Sequence, residues 1–406
     1  KFGFVVIMKE KVWVKIPDVL FYQEGPGVRN TQYTNDGVKL LNVANLVDGK
    51  INLETSDRYI SCEEANGKYK HFLCDEGDLI VASSGVKVDY IDKKMGFVTK
   101  EMLPLCMNTS TIRFKVLDDS QLNIRYFMYY LKSQNYKKQL SKLITGSAQL
   151  NYGPSHLEKI IFPICDFKKQ EEIVLKLDLV TQILEDYKIQ ILKYDDLIKA
   201  RFVEMFGSIY DGEYELKTLP EIVNEDKNAI KRGPFGGALK KDDFVENGYL
   251  VYEQRHAIHN DFDYAKYYIT QKKYDDMIGF KVVPGDLIIS CSGVTLGRIA
   301  EVPKGAKEGI INQALLKLSL NQQIMLNTFF IHQFRGEEIQ EILFGFSRGS
   351  GIPNMPSMSE VKSVKFICPP LELQKEYCDF VQQVDKSKLA VQQSLEKTQQ
   401  LFDSLM

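Results

Sequence analysis

The sequence predicts an α+β protein with two similar α+β domains, each followed by a long helix, and with the two helices pairing as an antiparallel coiled coil. Three observations predict this arrangement. The chain repeats itself with a period of about half its length. Each copy contains short runs of β-branched and aromatic residues between glycine turns, which are typical of strands. Each copy then ends in a long stretch without proline or glycine, whose apolar residues follow heptad spacing.

The internal repeat is clearest in two glycine-aspartate segments. Gly77–Val86 reads GDLIVASSGV and Gly285–Val294 reads GDLIISCSGV, and seven of the ten positions are identical. Downstream, Leu157–Glu172 matches Val361–Glu376. This spacing indicates a tandem duplication of one unit with a pseudo-twofold repeat, since solenoid periods are only roughly 20–50 residues.

Each domain reads as a mixture of short strands and helices. Gly-Asp followed by an apolar run is typical of a turn that leads into a buried strand, and further strands are predicted at Lys39–Val43 and Leu250–Tyr252. Helices are predicted at Ile124–Leu143 and Leu326–Phe344. The first domain is therefore assigned to residues 1–167 and the second to residues 208–370.

The two long helices are assigned to residues 168–207 and 371–406. Their apolar residues alternate at spacings of four and three, with polar interruptions at Lys388 and Thr398. About 36 residues of helix span roughly 54 Å. The alternative is that each helix folds back onto its own domain. The predicted seam comprises Ile173, Leu177, Val180, Leu184, Tyr187, Ile191, Tyr194, Ile198, Tyr377, Val381, Val384, Val391, Leu395 and Phe402.

Composition narrows the class of protein. Hydrophobic residues make up 44% of the chain, which excludes wholesale disorder. The net charge is −2, so any DNA binding needs a local basic surface or a partner. Seven cysteines without CxxC spacing indicate reduced thiols in the cytoplasm. Apolar runs such as Phe2–Met8 are shorter than the roughly 20 residues of a membrane span, and no signal peptide is expected.

Motifs for catalysis are missing from the sequence. It contains no Walker A motif, no Asp/Asn-Pro-Pro-Tyr/Phe tetrapeptide and no nucleophile elbow. His256 and His259 lie three apart without a third metal ligand nearby, and the Pro220-Glu221 and Glu225-Asp226-Lys227 pattern is common by chance. We therefore expect a chain that is not an enzyme and that binds no metal or cofactor.

Several motifs occur along the chain in a fixed order. They are the paired GDLI segments, LGRIA at Leu296–Ala300, LIKARFVEMFG at Leu197–Gly207, KRGPFGGALKKDDF at Lys231–Phe244 and the Pro-Pro turn at Pro369–Glu376. Together with the order domain, helix, domain, helix, they resemble the specificity subunit of type I restriction-modification enzymes. The resemblance covers nearly the whole chain.

That resemblance implies a DNA reader without its own chemistry. Each domain would read one half of a bipartite, asymmetric double-stranded DNA target, and the helices would set the spacing, with roughly 16 base pairs as the upper limit and about one helical turn expected. Two methyltransferase subunits and restriction subunits would dock on the chain. S-adenosylmethionine, ATP and Mg would be bound by those partners, and no membrane would be involved.

Candidate DNA contacts follow from side-chain chemistry. Lys227–Lys241 has five basic residues and no acidic one, and Gly25–Tyr33 is the matching stretch of the first domain. Arginine suits guanine, whereas asparagine and glutamine suit adenine. A solvated loop or an ordinary β-turn is the alternative for each. The candidates are Lys231, Arg232, Lys240, Lys241, Arg29, Asn30, Gln32, Tyr33, Ser84, Lys87, Thr295, Arg298, Gln254, Arg255 and Arg348.

Two other functions remain open from the sequence. The chain could be a protein-only adaptor that uses its helix pair as a scaffold. It could also be the recognition portion of a larger restriction-methylation polypeptide.

Overall fold

The computed structural model describes residues 12–144, 151–345 and 353–405, which form two compact units. The first unit contains the described residues up to Lys188 together with 393–405, and the second contains Ile189–Gln392. Both units mix sheets with short helices, and both include a segment of each long helix. The predicted α+β fold with two long helices is confirmed.

The first unit is built around a four-stranded antiparallel sheet with strand order β2-β10-β7-β8. A second sheet has the order β6-β3-β9, in which β3 and β9 are parallel. Strands β1 and β11 pair with each other, as do β4 and β5. The strands are β1 Val12–Lys15, β2 Leu20–Glu24, β3 Val38–Leu41, β4 Leu46–Val47, β5 Lys50–Ile51, β6 Tyr59–Ile60, β7 Leu79–Ala82, β8 Met95–Phe97, β9 Leu105–Met107, β10 Thr111–Val116 and β11 Ile161–Ile164. The helices are α1 Ile16–Val19, α2 Cys62–Asn66, α3 Ile124–Lys132, α4 Gln134–Leu143, α5 Pro154–Leu157 and α6 Phe167–Phe206.

The second unit repeats this plan. Its four-stranded antiparallel sheet has the order β13-β21-β18-β19, its second sheet has the order β14-β16-β15-β20-β17 with β15 and β20 parallel, and β12 pairs with β22. The strands are β12 Leu216–Thr218, β13 Ile230–Arg232, β14 Phe244–Val245, β15 Tyr249–Tyr252, β16 Tyr268–Ile269, β17 Lys281–Val282, β18 Leu287–Ser290, β19 Ile299–Glu301, β20 Gly309–Ile311, β21 Leu315–Leu318 and β22 Lys365–Ile367. The helices are α7 Leu219–Ile222, α8 Gln254–His259, α9 Gln271–Asp276, α10 Asn327–Arg335, α11 Glu337–Phe344, α12 Met358–Ser363 and α13 Leu371–Leu405.

The repeated glycine-aspartate segments form the inner strands of the four-stranded sheets. Every residue of β7 and of β18 is buried, as expected for apolar runs with both faces covered. In the first unit, the ring of Phe127 lies against Phe114 and Phe162, with ring centroids 5.2 and 5.4 Å apart. The duplicated sequence therefore forms the duplicated cores.

The helices predicted at Ile124–Leu143 and Leu326–Phe344 are each broken in two, so this prediction is corrected. Ser133 has extended backbone angles, and its hydroxyl accepts a hydrogen bond from the backbone amide of Tyr136 at 3.2 Å. Serine ends one helix and caps the next because its side chain satisfies an amide at the new N-terminus. Gly336 occupies the corresponding break in the second unit.

The long helix α6 has 40 residues, about 60 Å at 1.5 Å per residue, and α13 has 35. All fourteen predicted seam residues are buried or half-buried. Within the second unit the helices run antiparallel, because Asp195 contacts Lys388 whereas Arg201, further along α6, contacts Glu376 near the start of α13. Over the ranges that the structure describes, no helix is both long and apolar enough to cross a membrane.

Candidate nucleic-acid interface

A Gly-Pro turn follows the outer strand of each four-stranded sheet. The backbone amide of Gly25 donates to Thr111 at 2.9 Å, and that of Gly233 donates to Leu315 at 2.8 Å. A Cβ atom on Gly233 would lie 1.8 Å from the carbonyl oxygen of Asn312, so only glycine fits there. The two turns therefore hold matching backbone positions at the same end of each sheet.

The loop after the inner strand of each sheet lies beside a short bridge. Ser84 forms an isolated antiparallel bridge with Asn151, and Ser292 forms one with Asn354. Each bridge brings a distant segment next to the strand-end loop. The sequence predictions included Ser84 and Thr295 in these loops but neither asparagine.

In the second unit these elements assemble a polar cluster. An Nη atom of Arg232 donates to Asn354 Oδ1 at 3.4 Å, and Gln254 Nε2 donates to Ser292 Oγ at 2.7 Å. The guanidinium of Arg232 lies 5.3 Å from the ring centroid of Phe235, whose side chain is exposed. We call Arg232, Phe235, Gln254, Ser292 and Asn354 the strand-end cluster. Hydrogen-bond donors and an exposed aromatic ring at a loop edge suit contact with a nucleic-acid groove.

Two other candidates of the second unit contact residues outside this cluster. Lys231 is on the same strand as Arg232, but its ammonium lies 4.8 Å from the ring centroid of Phe280. Arg255 pairs with Asp261 at 3.4 Å. Lys240, Lys241 and Arg298 are exposed, and Thr295 is half-buried in the same loop as Ser292. Arg348 lies outside the described residues.

In the first unit, some candidates of the stretch Gly25–Tyr33 already have partners within the protein. The amide of Gln32 already accepts from the Arg29 backbone amide at 3.1 Å and donates to Glu64 at 2.7 Å. The ring of Tyr33 is covered by the guanidinium of Arg58, 5.4 Å from its centroid. Arg29, Asn30 and Lys87 are exposed and Ser84 is half-buried. Gln32 and Tyr33 thus have structural partners, whereas Arg29 and Asn30 face solvent.

Buried ion pairs lie within both four-stranded sheets. Arg113 Nη1 lies 3.3 Å from Asp78, and their side chains are 6% and 2% exposed. At the equivalent place Lys317 lies 3.9 Å from Asp286. Burial lowers the pKa of Lys317, and the negative charge of Asp286 opposes that shift. These charges are part of the sheets and are not available to a ligand.

The sequence analysis missed Glu24, Asn151, Phe235 and Asn354. A signal for the two asparagines exists, because Asn151-Tyr-Gly-Pro-Ser and Asn354-Met-Pro-Ser share an asparagine shortly before Pro-Ser. One residue more in the first copy shifts the alignment there.

The described part of the chain offers no cluster of three metal-ligating side chains. His256 is completely buried, and its Nε2 lies 2.9 Å from the carbonyl oxygen of Tyr264. Its ring nitrogens therefore have partners within the protein fold.

Comparison with known proteins gives consistent matches. Residues 8–194 and 230–400 match the family described as type I restriction modification DNA specificity domain. The specificity subunit of the type I restriction enzyme MjaVIII from Methanocaldococcus jannaschii is 26% identical over 210 residues, which are 51% of this chain and 47% of that protein. The match thus spans about half the length of this curated relative.

Two solved structures share the fold. The S subunit of a type I restriction-modification system from M. genitalium superposes with a TM-score of 0.51 at 17% identity, over 99% of this chain and 96% of that chain. A chain from a study of complex assembly and conformational transition of the type I R-M system has a TM-score of 0.63 at 15% identity, over 97% of this chain and 96% of that chain.

Proposed function

Because the chain belongs to the type I restriction modification DNA specificity domain family, we propose that it reads a bipartite, asymmetric DNA target for a restriction-modification complex. One unit contacts each half-site, and the long helices determine the length of the unread spacer. The observation that carries this proposal is the pair of sheets with the same register but different side chains at their loop edges. Two sheets of the same fold that carry different side chains at their loop edges suit two different half-sites.

Partner subunits carry out the catalytic work in this proposed complex. Two methyltransferase subunits dock on the repeated chain, restriction subunits join them, and those partners bind S-adenosylmethionine, ATP and Mg. Leu175, Leu179 and Leu192 on α6 support a docking role, since their side chains are 69%, 63% and 64% exposed. Large exposed apolar surface on a helix is typical of a protein interface. The complex would act in the cytoplasm.

A methylome tests this function. The chain is expressed with its neighbouring methyltransferase in a host without DNA methylation, and modified adenines are mapped by single-molecule sequencing. We expect a motif of two short defined halves around an undefined gap. A continuous motif would contradict two independent readers. Absence of chain-dependent methylation from an assembled complex would favour a protein-only adaptor instead.

A further inference from the structure

Glu24 and Arg232 occupy the same position in the two units. Glu24 pairs with Ile112 on β10, and Arg232 pairs with Leu316 on β21. Each is the last residue of its strand, and each is followed by the Gly-Pro turn. The same backbone position at the loop edge of the sheet therefore carries a carboxylate in the first unit and a guanidinium in the second.

The guanidinium of Arg232 is held in place by its surroundings. Asn354 accepts one hydrogen bond from it, and the ring of Phe235 covers one face. Its Nε is buried without a partner among the described residues. An arginine that is oriented by the protein but keeps unused donors loses little entropy when it binds a ligand with two acceptors.

The carboxylate of Glu24 lies beside the matching loop of the first unit. The side chain is exposed, and a Cβ atom on Gly153 would come within 3.4 Å of its Oε2. Burial raises the pKa of the neighbouring Tyr152, and the negative charge of Glu24 adds to this shift. No ion pair neutralises Glu24 in the described ranges. An unpaired carboxylate is repelled by phosphates, whereas it accepts a hydrogen bond from a donor on a base edge.

The neighbouring position strengthens the difference between the units. Pairing of β3 with β9 and of β15 with β20 makes Val43 the counterpart of Gln254. The second unit thus adds an amide to its cluster, fixed by Ser292, where the first unit has an aliphatic side chain. The two units thus have the same fold but carry different side chains at two positions, Glu24 against Arg232 and Val43 against Gln254.

We propose that this strand-end position selects one base pair in each half-site, with Arg232 reading guanine and Glu24 reading the amino group of cytosine. Arginine donates two hydrogen bonds to guanine O6 and N7, and a carboxylate accepts from cytosine N4 in the major groove. The inference rests on the proposed function, because it assumes that both units read DNA. It adds which residue selects which base.

The test compares methylomes of the complex formed by wild type, Arg232→Gln and Glu24→Gln. Arg232→Gln relaxes the preference at one G·C pair in one half-site, by on the order of tenfold, and leaves the other half unchanged. Glu24→Gln does the same in the other half. Matched controls are Lys304→Gln, an exposed base outside the strand-end cluster, and Glu76→Gln, an exposed acid outside the loop. Both controls keep the wild-type motif.

Other outcomes separate the two proposals. An unchanged motif in Arg232→Gln and Glu24→Gln overturns the inference and leaves the proposed function standing, whereas a wild-type complex without a split motif overturns the proposed function. Duplex binding is measured for each variant alongside its circular dichroism spectrum. If Arg232→Gln folds normally but binds all sequences equally less well with a smaller salt slope, Arg232 contacts phosphate and the guanine assignment is wrong.

Discussion

Lys388 donates a hydrogen bond to Asp195 at 2.5 Å between the two long helices of the second unit. Lys388 is one of the two polar interruptions of the C-terminal seam. The acid opposite it supplies the charge that a half-buried ammonium needs. Because the Asp195 side chain is 46% exposed, water screens this pair. A polar seam residue that meets an opposite charge in only one alignment of the two helices also disfavours the other alignments.

Replacing Lys388 with leucine should change the free energy of unfolding by less than about 1 kcal/mol. Asp195 can be solvated once its partner is gone, and leucine adds apolar contact to the seam. Denaturant unfolding measures the effect, and Lys386→Leu at an exposed site of the same helix is the control. A loss above about 2 kcal/mol would contradict this prediction, because it would show that the pair contributes as a buried ion pair does.

Replacing Asp78 with asparagine should destabilise the first unit by about 3 kcal/mol or more. Arg113 would then keep its buried charge but lose its anion, although Gln23 and two backbone carbonyls would still accept from it. Asp75→Asn is the control, because that side chain is 72% exposed and its loss should cost less than about 1 kcal/mol. Thermal unfolding of both variants decides the question, and equal losses would contradict the prediction.

The stability of the second unit should fall as the pH drops from about 6.5 towards 4. Burial, with a smaller effect of the Arg335 charge, lowers the pKa of His332 from 6.5 to about 4. In this window the unfolded chain binds a proton that the folded chain does not, so the full contribution exists only above the unfolded pKa. The loss should be at most about 3 kcal/mol.

A variant that lacks the His332 imidazole isolates this effect. His332→Gln should show a flatter dependence of unfolding free energy on pH between 6.5 and 4, measured by urea unfolding at several pH values. His259→Gln, at an exposed site, should keep the wild-type slope. Equal slopes for all three proteins would show that His332 does not titrate in this window.

Replacing Leu175 and Leu179 with serine should weaken binding of the methyltransferase subunit and leave the chain folded. Both side chains are largely exposed in the chain itself, so the two substitutions remove little of the apolar burial that stabilises its fold. In the complex the serine variant would no longer bury these two leucine side chains, which should weaken the binding free energy by on the order of 1 kcal/mol for each. Calorimetric titration of the methyltransferase measures this. Lys176→Ser is the exposed control, and unchanged affinity of the double variant would exclude this face of α6 as the docking surface.

The candidate site could be predicted only in part. The basic run Lys227–Lys241 led to Arg232, and the polar residues after a strand led to Gln254. Asn354 was missed because it reaches Arg232 across 122 residues of sequence. Glu24 was missed because an acid is not an expected phosphate contact, although it precedes Gly25-Pro26 as Arg232 precedes Gly233-Pro234. Its pairing with Ile112 follows only from strand register.

The sequence by itself determined the fold class, the duplication and the seam of the long helices. These follow from local periodicity and from similarity between two stretches of one chain, which need no knowledge of distant contacts. The tertiary structure decided where Ser133 and Gly336 break the helices, which acid faces Lys388, and that Asn354 contacts Arg232. Such relationships depend on pairing between segments far apart in the chain, and a pattern read along one strand or helix does not contain them.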